Sequence, residues 1–242
     1  MKTAVITGSS RGIGRAIALR FAREGYSVVI NCAKSADELG KTLNDIEAMG
    51  VRAIGIQADV SAAAECERLI GAALESFGAI DILVNNAGRS FIGLLSDMNP
   101  DEIASVVGAN LLSAMYCSRF CVPGMVRRKH GVIINISSMW GTAGASCEAV
   151  YSGAKGGLNA FTKALAKELG PSGVRVNAIS CGVIKTGMNA FLSAEEALHL
   201  AEQIPLSRFG TDLEVAEAAA FLASDAAAYI TGQILGVDGG KI

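Results

Sequence analysis

The 242-residue sequence predicts a doubly wound α/β domain: a mostly parallel, seven-stranded, Rossmann-like sheet with helices on both faces. Three observations carry this expectation. Short aliphatic, β-branched runs alternate along the chain with longer segments of helical period, which calls for right-handed crossovers and a parallel sheet. Composition suits a large aliphatic core, because 51% of residues are hydrophobic and only 5% aromatic. A glycine-rich turn joins the first strand to the first helix, where such sheets hold ligands.

In chain order, Thr3-Ala-Val-Ile-Thr7 is long enough for a buried parallel strand. It enters Gly8-Ser9-Ser10-Arg11-Gly12-Ile13-Gly14, and residues 15–23 read as a helix stopped by Gly25. Free N–H groups and the dipole at a helix start favour an anion, and glycines let the backbone approach it. The turn therefore reads as a pyrophosphate cradle, although G-x-x-x-G-x-G is not the commoner G-x-G-x-x-G spacing. Further strands are expected at 27–31, 53–57, 82–85, 132–137, 175–180 and 234–237. Helical patterns occupy 37–49, 62–76, 100–129, 152–169 and 212–223. The start at Asn99-Pro100-Asp101-Glu102 combines an N-cap, proline at N1 and acids in the first turn. No linker or repeat interrupts the pattern, so residues 1–242 are expected to form one domain.

Charge and cysteine usage narrow the function. A net charge of −2 offers no basic surface for nucleic acid. No apolar run approaches the roughly 20 residues of a membrane helix. The N-terminal stretch is not a secretory signal, and a cytoplasmic location is expected. Cys32, Cys66, Cys117, Cys121, Cys147 and Cys181 include no C-x-x-C pair, and there are two histidines. Free thiols in a reducing compartment are expected, and no metal site.

The strand exits carry the chemistry, since parallel sheets bind ligands at the carboxyl ends of their strands. Asn85-Asn86-Ala87-Gly88 ends the fourth strand, and Asp59-Val60 follows the third. The fifth ends Ile136-Ser137-Ser138, and the sixth runs into Cys181-Gly182-Val183-Ile184-Lys185-Thr186. Downstream, Tyr151 and Lys155 stand four apart on a helix, so phenol and ammonium share a face. A fixed cation beside a phenol of pKa about 10 is expected to draw that pKa toward the working range.

These motifs resemble the classical short-chain dehydrogenase/reductase family over essentially the full chain. The matches are T-G-x-x-x-G-x-G at Thr7–Gly14, N-N-A-G at Asn85–Gly88, Ser138, Tyr151-x-x-x-Lys155, and Asn110 within Gly108-Ala-Asn-Leu-Leu112. Tyr229-Ile-Thr-Gly-Gln and the terminal Val237-Asp-Gly-Gly look most like the bacterial 3-oxoacyl-[acyl-carrier-protein] reductase branch. The resemblance implies that Ser138 binds a substrate carbonyl and Tyr151 gives its proton to the developing alkoxide. Lys155 is implied to hold the nicotinamide ribose and keep the tyrosine pKa down, and Asn110 to anchor a proton-passing water. Gly8, Gly12, Ile13 and Gly14 are implied at the pyrophosphate, Ser10 among the cofactor-binding residues, and Asp59 and Val60 at the adenine. Asn86, Ala87 and Gly88 fall to the adenosine side and ribose, and Ile184 and Thr186 to the carboxamide. The family's habit implies a homotetramer built on the helices at 100–129 and 152–169 and the last strand, with a flap near 189–204.

Cofactor preference follows from charge. NAD-preferring sites place an acid at the end of the second strand, where it accepts from the ribose 2′-OH. Here Asn31-Cys32-Ala33-Lys34-Ser35 holds no acid before Asp37, and Arg11 and Lys34 can both reach a 2′-phosphate. NADP(H) is therefore expected, with Asn31 placed among the cofactor residues.

Three departures bear on the substrate. Cys181 stands where the branch usually has proline, Ser172 replaces a basic residue, and Glu148 stands where a neutral residue is common. Arg127, Arg128 and Lys129 still offer a positive cluster for acyl carrier protein or for capping their helix. Ser137-Ser-Met-Trp-Gly141 and Ala145-Ser-Cys-Glu148 also look like a branch that reduces the 5-aminopentanone group on modified elongation factor P. Glu148 would suit that cationic substrate, and Trp140 would line the pocket in either case. A non-catalytic NADP-binding regulator is the alternative from another class, and such proteins usually lack the tyrosine or the lysine.

Overall fold

The computed structural model describes residues 2–187 and 193–242. Seven strands form one sheet: β1 (Thr3–Ile6), β2 (Ser27–Cys32), β3 (Ala53–Gln57), β4 (Ile82–Asn85), β5 (Gly131–Ser138), β6 (Val174–Cys181) and β7 (Ile234–Val237). Their order is β3-β2-β1-β4-β5-β6-β7. Every neighbouring pair is parallel, so the sheet is wholly rather than mostly parallel. Strand order reverses between β1 and β4, which makes their carboxyl ends the switch-point crevice.

Alternating strand side chains feed two cores. Ala4, Ile6, Val28, Ile30, Ile82, Val84 and Ile134 face α1 (Gly12–Arg23), α2 (Ala36–Glu47) and α9 (Asp212–Ala223). Val5, Val29, Leu83, Ile133 and Val176 face α3 (Ala63–Phe77), α5 (Ser113–Arg128) and α7 (Ala149–Leu169). Full burial of each such aliphatic side chain contributes about 1.5–3 kcal/mol, and both faces of the central strands are covered, while β3 and β7 at the edges are partly exposed.

The helix expected at 100–129 is interrupted. It consists of α4 (Pro100–Val107), a π-helical turn over Gly108–Leu112, and α5. The Asn99 capping box is present as expected, with Asn99 Oδ1 accepting from Glu102 N at 2.9 Å. The π turn appears because Asn110 is drawn inward. It is 1% exposed, and its Nδ2 donates to Arg89 O at 2.6 Å and Val106 O at 2.9 Å. Such turns are frequent at functional sites. Two short helices complete the set, α6 (Trp140–Ala143) and α8 (Ala194–Glu202). Residues 189–192 of the expected flap lie outside the described residues.

Candidate active site

The glycine turn between β1 and α1 is shaped for close approach. Gly8 and Gly12 have φ of +62° and +54°, a region L side chains rarely adopt. A Cβ at Gly14 would collide with Asn86 Nδ2 and lie 2.5 Å from Gly8 O. No side chain caps α1 and no acid stands in its first turn, so its leading N–H groups remain available to an anion. On these grounds the residues present fit a dinucleotide pyrophosphate.

Several residues expected at the cofactor also build the cradle. Asn31 is 1% exposed; its Oδ1 accepts from Gly8 N at 3.2 Å, and its Nδ2 donates to Ile56 O and Ala58 O at 3.0 Å. Its amide thus ties the glycine turn to β3. Asn86 Nδ2 donates to Thr7 O and Gly8 O, each at 2.9 Å, while Thr7 Oγ1 accepts from the N–H groups of Asn86 and Ala87 at 3.0 Å. The two strand ends of the switch point are thereby laced together. Ser10 is buried, and its carbonyl accepts from Thr42 Oγ1 at 3.0 Å. Asp59 Oδ1 accepts from Ser61 N and Oγ at 3.0 and 2.8 Å, and Val60 is buried beside it. Thr186 reaches back over the turn, its Cγ2 3.6 Å from the position of a Cβ on Gly12. Ile184 is buried and bridges Gly210. Arg11 and Lys34 are exposed at the rim.

Ser138, Tyr151 and Lys155 converge at the end of β5. Ser138 is the last residue of the strand and 7% exposed, and its Oγ accepts from Trp140 N at 3.2 Å. That contact leaves the hydroxyl proton free, and Ser138 lies near enough to Tyr151 to act on its phenol. One turn along α7, Lys155 is 4% exposed, and its Nζ donates to Ile136 O at 2.8 Å. The ammonium lies 5.7 Å from the Tyr151 ring centroid.

The expected lowering of the tyrosine pKa is not met in this structure. Burial pushes Tyr151 up to about 12, against the opposing effect of the nearby Ser138 hydroxyl, with Cys181 and Glu148 adding to the rise. Burial also brings Lys155 down to about 8. Desolvation disfavours the charged form of both groups, so the pair is held as a neutral phenol above a weakened ammonium. Such a phenol is a proton donor.

Asn110 Oδ1 is buried without a hydrogen-bond partner. A Cβ at Gly88 would fall 2.6 Å from that oxygen and 3.6 Å from Lys155 Nζ. Glycine at 88 therefore keeps open the gap between an unsatisfied acceptor and the ammonium.

Cys181 ends β6 opposite Ser138 and Val237. Its thiol is pushed up to about 12 by burial, with Lys155 acting against that rise. A proline there could not have served as a ladder donor. Trp140 opens α6 and is half-buried. Glu148 stands at the N-cap position of α7 without a side-chain capping bond, is half-buried, and accepts a hydrogen bond from Ser90 Oγ. Ser90 carried no signal in the sequence, because the contact joins loops 58 positions apart.

The family described as enoyl-(acyl carrier protein) reductase matches residues 8–241. The chain is 43% identical over 239 residues to the 3-oxoacyl-[acyl-carrier-protein] reductase FabG of Staphylococcus epidermidis, spanning 99% of this chain and 98% of the relative. It is also 43% identical over 243 residues to the uncharacterized oxidoreductase YmfI of Bacillus subtilis, spanning 99% and 98%. A crystal structure from Sinorhizobium meliloti, assigned as a short-chain alcohol dehydrogenase, superposes with a TM-score of 0.94 at 35% identity and covers 99% of this chain and 96% of its own. The cradle, the converging serine, tyrosine and lysine, and these likenesses agree: the chain belongs to the short-chain dehydrogenase/reductase family, oxidoreductases that act on alcohol and ketone groups.

Proposed function

We propose that the chain is an NADPH-dependent 3-oxoacyl-[acyl-carrier-protein] reductase of fatty-acid synthesis. The observation that carries the reading is the convergence of Ser138 at the end of β5 with Tyr151 and the buried Lys155, whose ammonium lies 5.7 Å from the tyrosine ring centroid and is held by Ile136 O. The nicotinamide supplies the hydride when bound. Ser138 Oγ–H holds the substrate carbonyl, and Tyr151 Oη–H protonates the oxygen as it becomes an alkoxide. A positioned acid of this kind contributes about 10²–10⁴-fold. Lys155 binds the ribose hydroxyls. Asn110 Oδ1 accepts from a water that returns protons through Lys155 to the tyrosine.

NADPH is favoured by exposed Arg11 and Lys34 at the rim. The free thiols, five of them buried, suit a reducing cytoplasm. We place a homotetramer on α4, α5, α7 and β7, supported on β7 by the exposed apolar residue Leu235. For carrier-protein docking the basic cluster is smaller than its sequence suggests. Arg128 donates to Ile80 O at 2.5 Å and lies 3.7 Å from Asp81, which leaves Arg127 and Lys129.

Glu148 favours a second reading. Its half-buried carboxylate, held by Ser90, lies close enough to act on Tyr151. An acid so placed suits a ketone bearing a cationic group, such as an aminopentanone on a modified protein lysine. The test is NADPH oxidation with acetoacetyl-acyl carrier protein against an aminopentanone-bearing peptide. Turnover of the thioester alone supports the first reading. Turnover confined to the cationic ketone replaces it with the second.

A further inference from the structure

Glu38 stands in the first turn of α2, just beyond the carboxyl end of β2. Its Oε2 is shielded from solvent and has no hydrogen-bond partner. The nearest cation is Arg11 of the glycine turn, whose Nη1 is 3.9 Å away, too far for a hydrogen bond. The two side chains are 73% and 43% exposed, so Arg11 is not locked in place by packing. The charge of Glu38 also acts on the thiol of Cys32, the last residue of β2. Together these contacts set a carboxylate and a guanidinium side by side at the strand end where the 2′ group of a bound dinucleotide is read.

We propose that Glu38 is a specificity-determining residue that competes with a cofactor 2′-phosphate for Arg11. The inference rests on the NADPH reading above. Carboxylate and phosphate seek the same planar fork of donors. A 2′-phosphate arriving at Arg11 meets Glu38 as a like charge, whereas a 2′-hydroxyl meets no such repulsion. The site is thus set to bind NADPH through Arg11 and Lys34, but less tightly than those cations alone would allow. Sequence inspection stops at Asp37 as the first acid after β2; only the fold brings Glu38 against Arg11.

The test is calorimetric titration of wild type, Glu38→Gln, Arg11→Ala and the double variant with NADPH and with NADH. Glu38→Gln keeps the shape and removes the charge. It is expected to tighten NADPH about tenfold and to change NADH by less than about twofold, with the gain shrinking as salt screens exposed charges. Arg11→Ala weakens NADPH, and in that background Glu38→Gln has little further effect. An unchanged NADPH affinity in Glu38→Gln overturns the proposal, because Glu38 then serves only the α2 dipole. Selective weakening of NADH also overturns it, because Glu38 then accepts from a 2′-hydroxyl. Wild-type preference for NADH with no response to Arg11→Ala removes the NADPH reading instead. Binding of neither dinucleotide by wild type removes the cofactor site itself, and the proposal with it.

Discussion

Lys155 Nζ donates to the carbonyl oxygen of Ile136 at 2.8 Å, which fixes the ammonium beneath Tyr151 rather than letting it reach solvent. This one contact positions a cation that the interior disfavours. Burial brings its pKa down to about 8, against an ordinary value of 10.5.

The sign of that shift gives a stability prediction. The folded state sheds the Lys155 proton at lower pH than the unfolded chain. Its destabilising effect is therefore complete below about pH 8 and is relieved as pH rises toward 10.5. Lys155→Met removes the charge and also the hydrogen bond to Ile136. We expect the variant to be more stable than wild type at pH 7 by on the order of 2 kcal/mol, the advantage vanishing above about pH 10.5. Denaturant midpoints at the two pH values check this, and a variant less stable at pH 7 contradicts it.

The same group sets a pH limb on activity. Reductive kcat/KM is expected to fall as pH rises through about 8, where Lys155 loses its charge, while Tyr151 stays protonated to about 12. A profile flat to pH 10 rules out Lys155 as the titrating group.

At the cradle, Gly14→Ala places a Cβ against Asn86 Nδ2 and 2.5 Å from Gly8 O. The turn must shift, so about 1–3 kcal/mol of stability is expected to go. Cofactor affinity should fall more than thirtyfold, which is about 2 kcal/mol. Thermal melts and cofactor titration separate the two effects. Unaltered binding would show that the turn does not hold the pyrophosphate.

Asn86→Ala removes the side chain that laces Thr7 and Gly8 to the end of β4. Two lost hydrogen bonds amount to about 1–3 kcal/mol. The variant is expected to fold, with cofactor binding weakened about tenfold by a looser cradle and kcat at saturation little changed. A fall in kcat with unchanged binding would instead move Asn86 to the reaction itself.

The fold was legible because its signals are local. Runs such as Val28-Val-Ile30 and Ile133-Ile134 announce buried strands, and Asn99 with Glu102 announces a helix start that the structure keeps. The interrupted helix was not legible, because the π turn follows from Asn110 bonding to Arg89 O across a loop. At the site, spacing alone put Tyr151 beside Lys155 but said nothing of desolvation, and desolvation decides their protonation. Asn31 shows the same limit: its place at a strand end points to a ligand, while the bonds by which its amide ties the glycine turn to β3 emerge only from the fold. The Ser90–Glu148 and Arg11–Glu38 pairs depend on how loops fold back, which no short-range pattern encodes.

We propose Tyr151 as the proton donor, and Tyr151→Phe isolates that role when cofactor binding and ketone reduction are measured on one preparation. NADPH affinity close to wild type and kcat/KM lower by about 10²–10⁴-fold are expected. Wild-type turnover in that variant would contradict it.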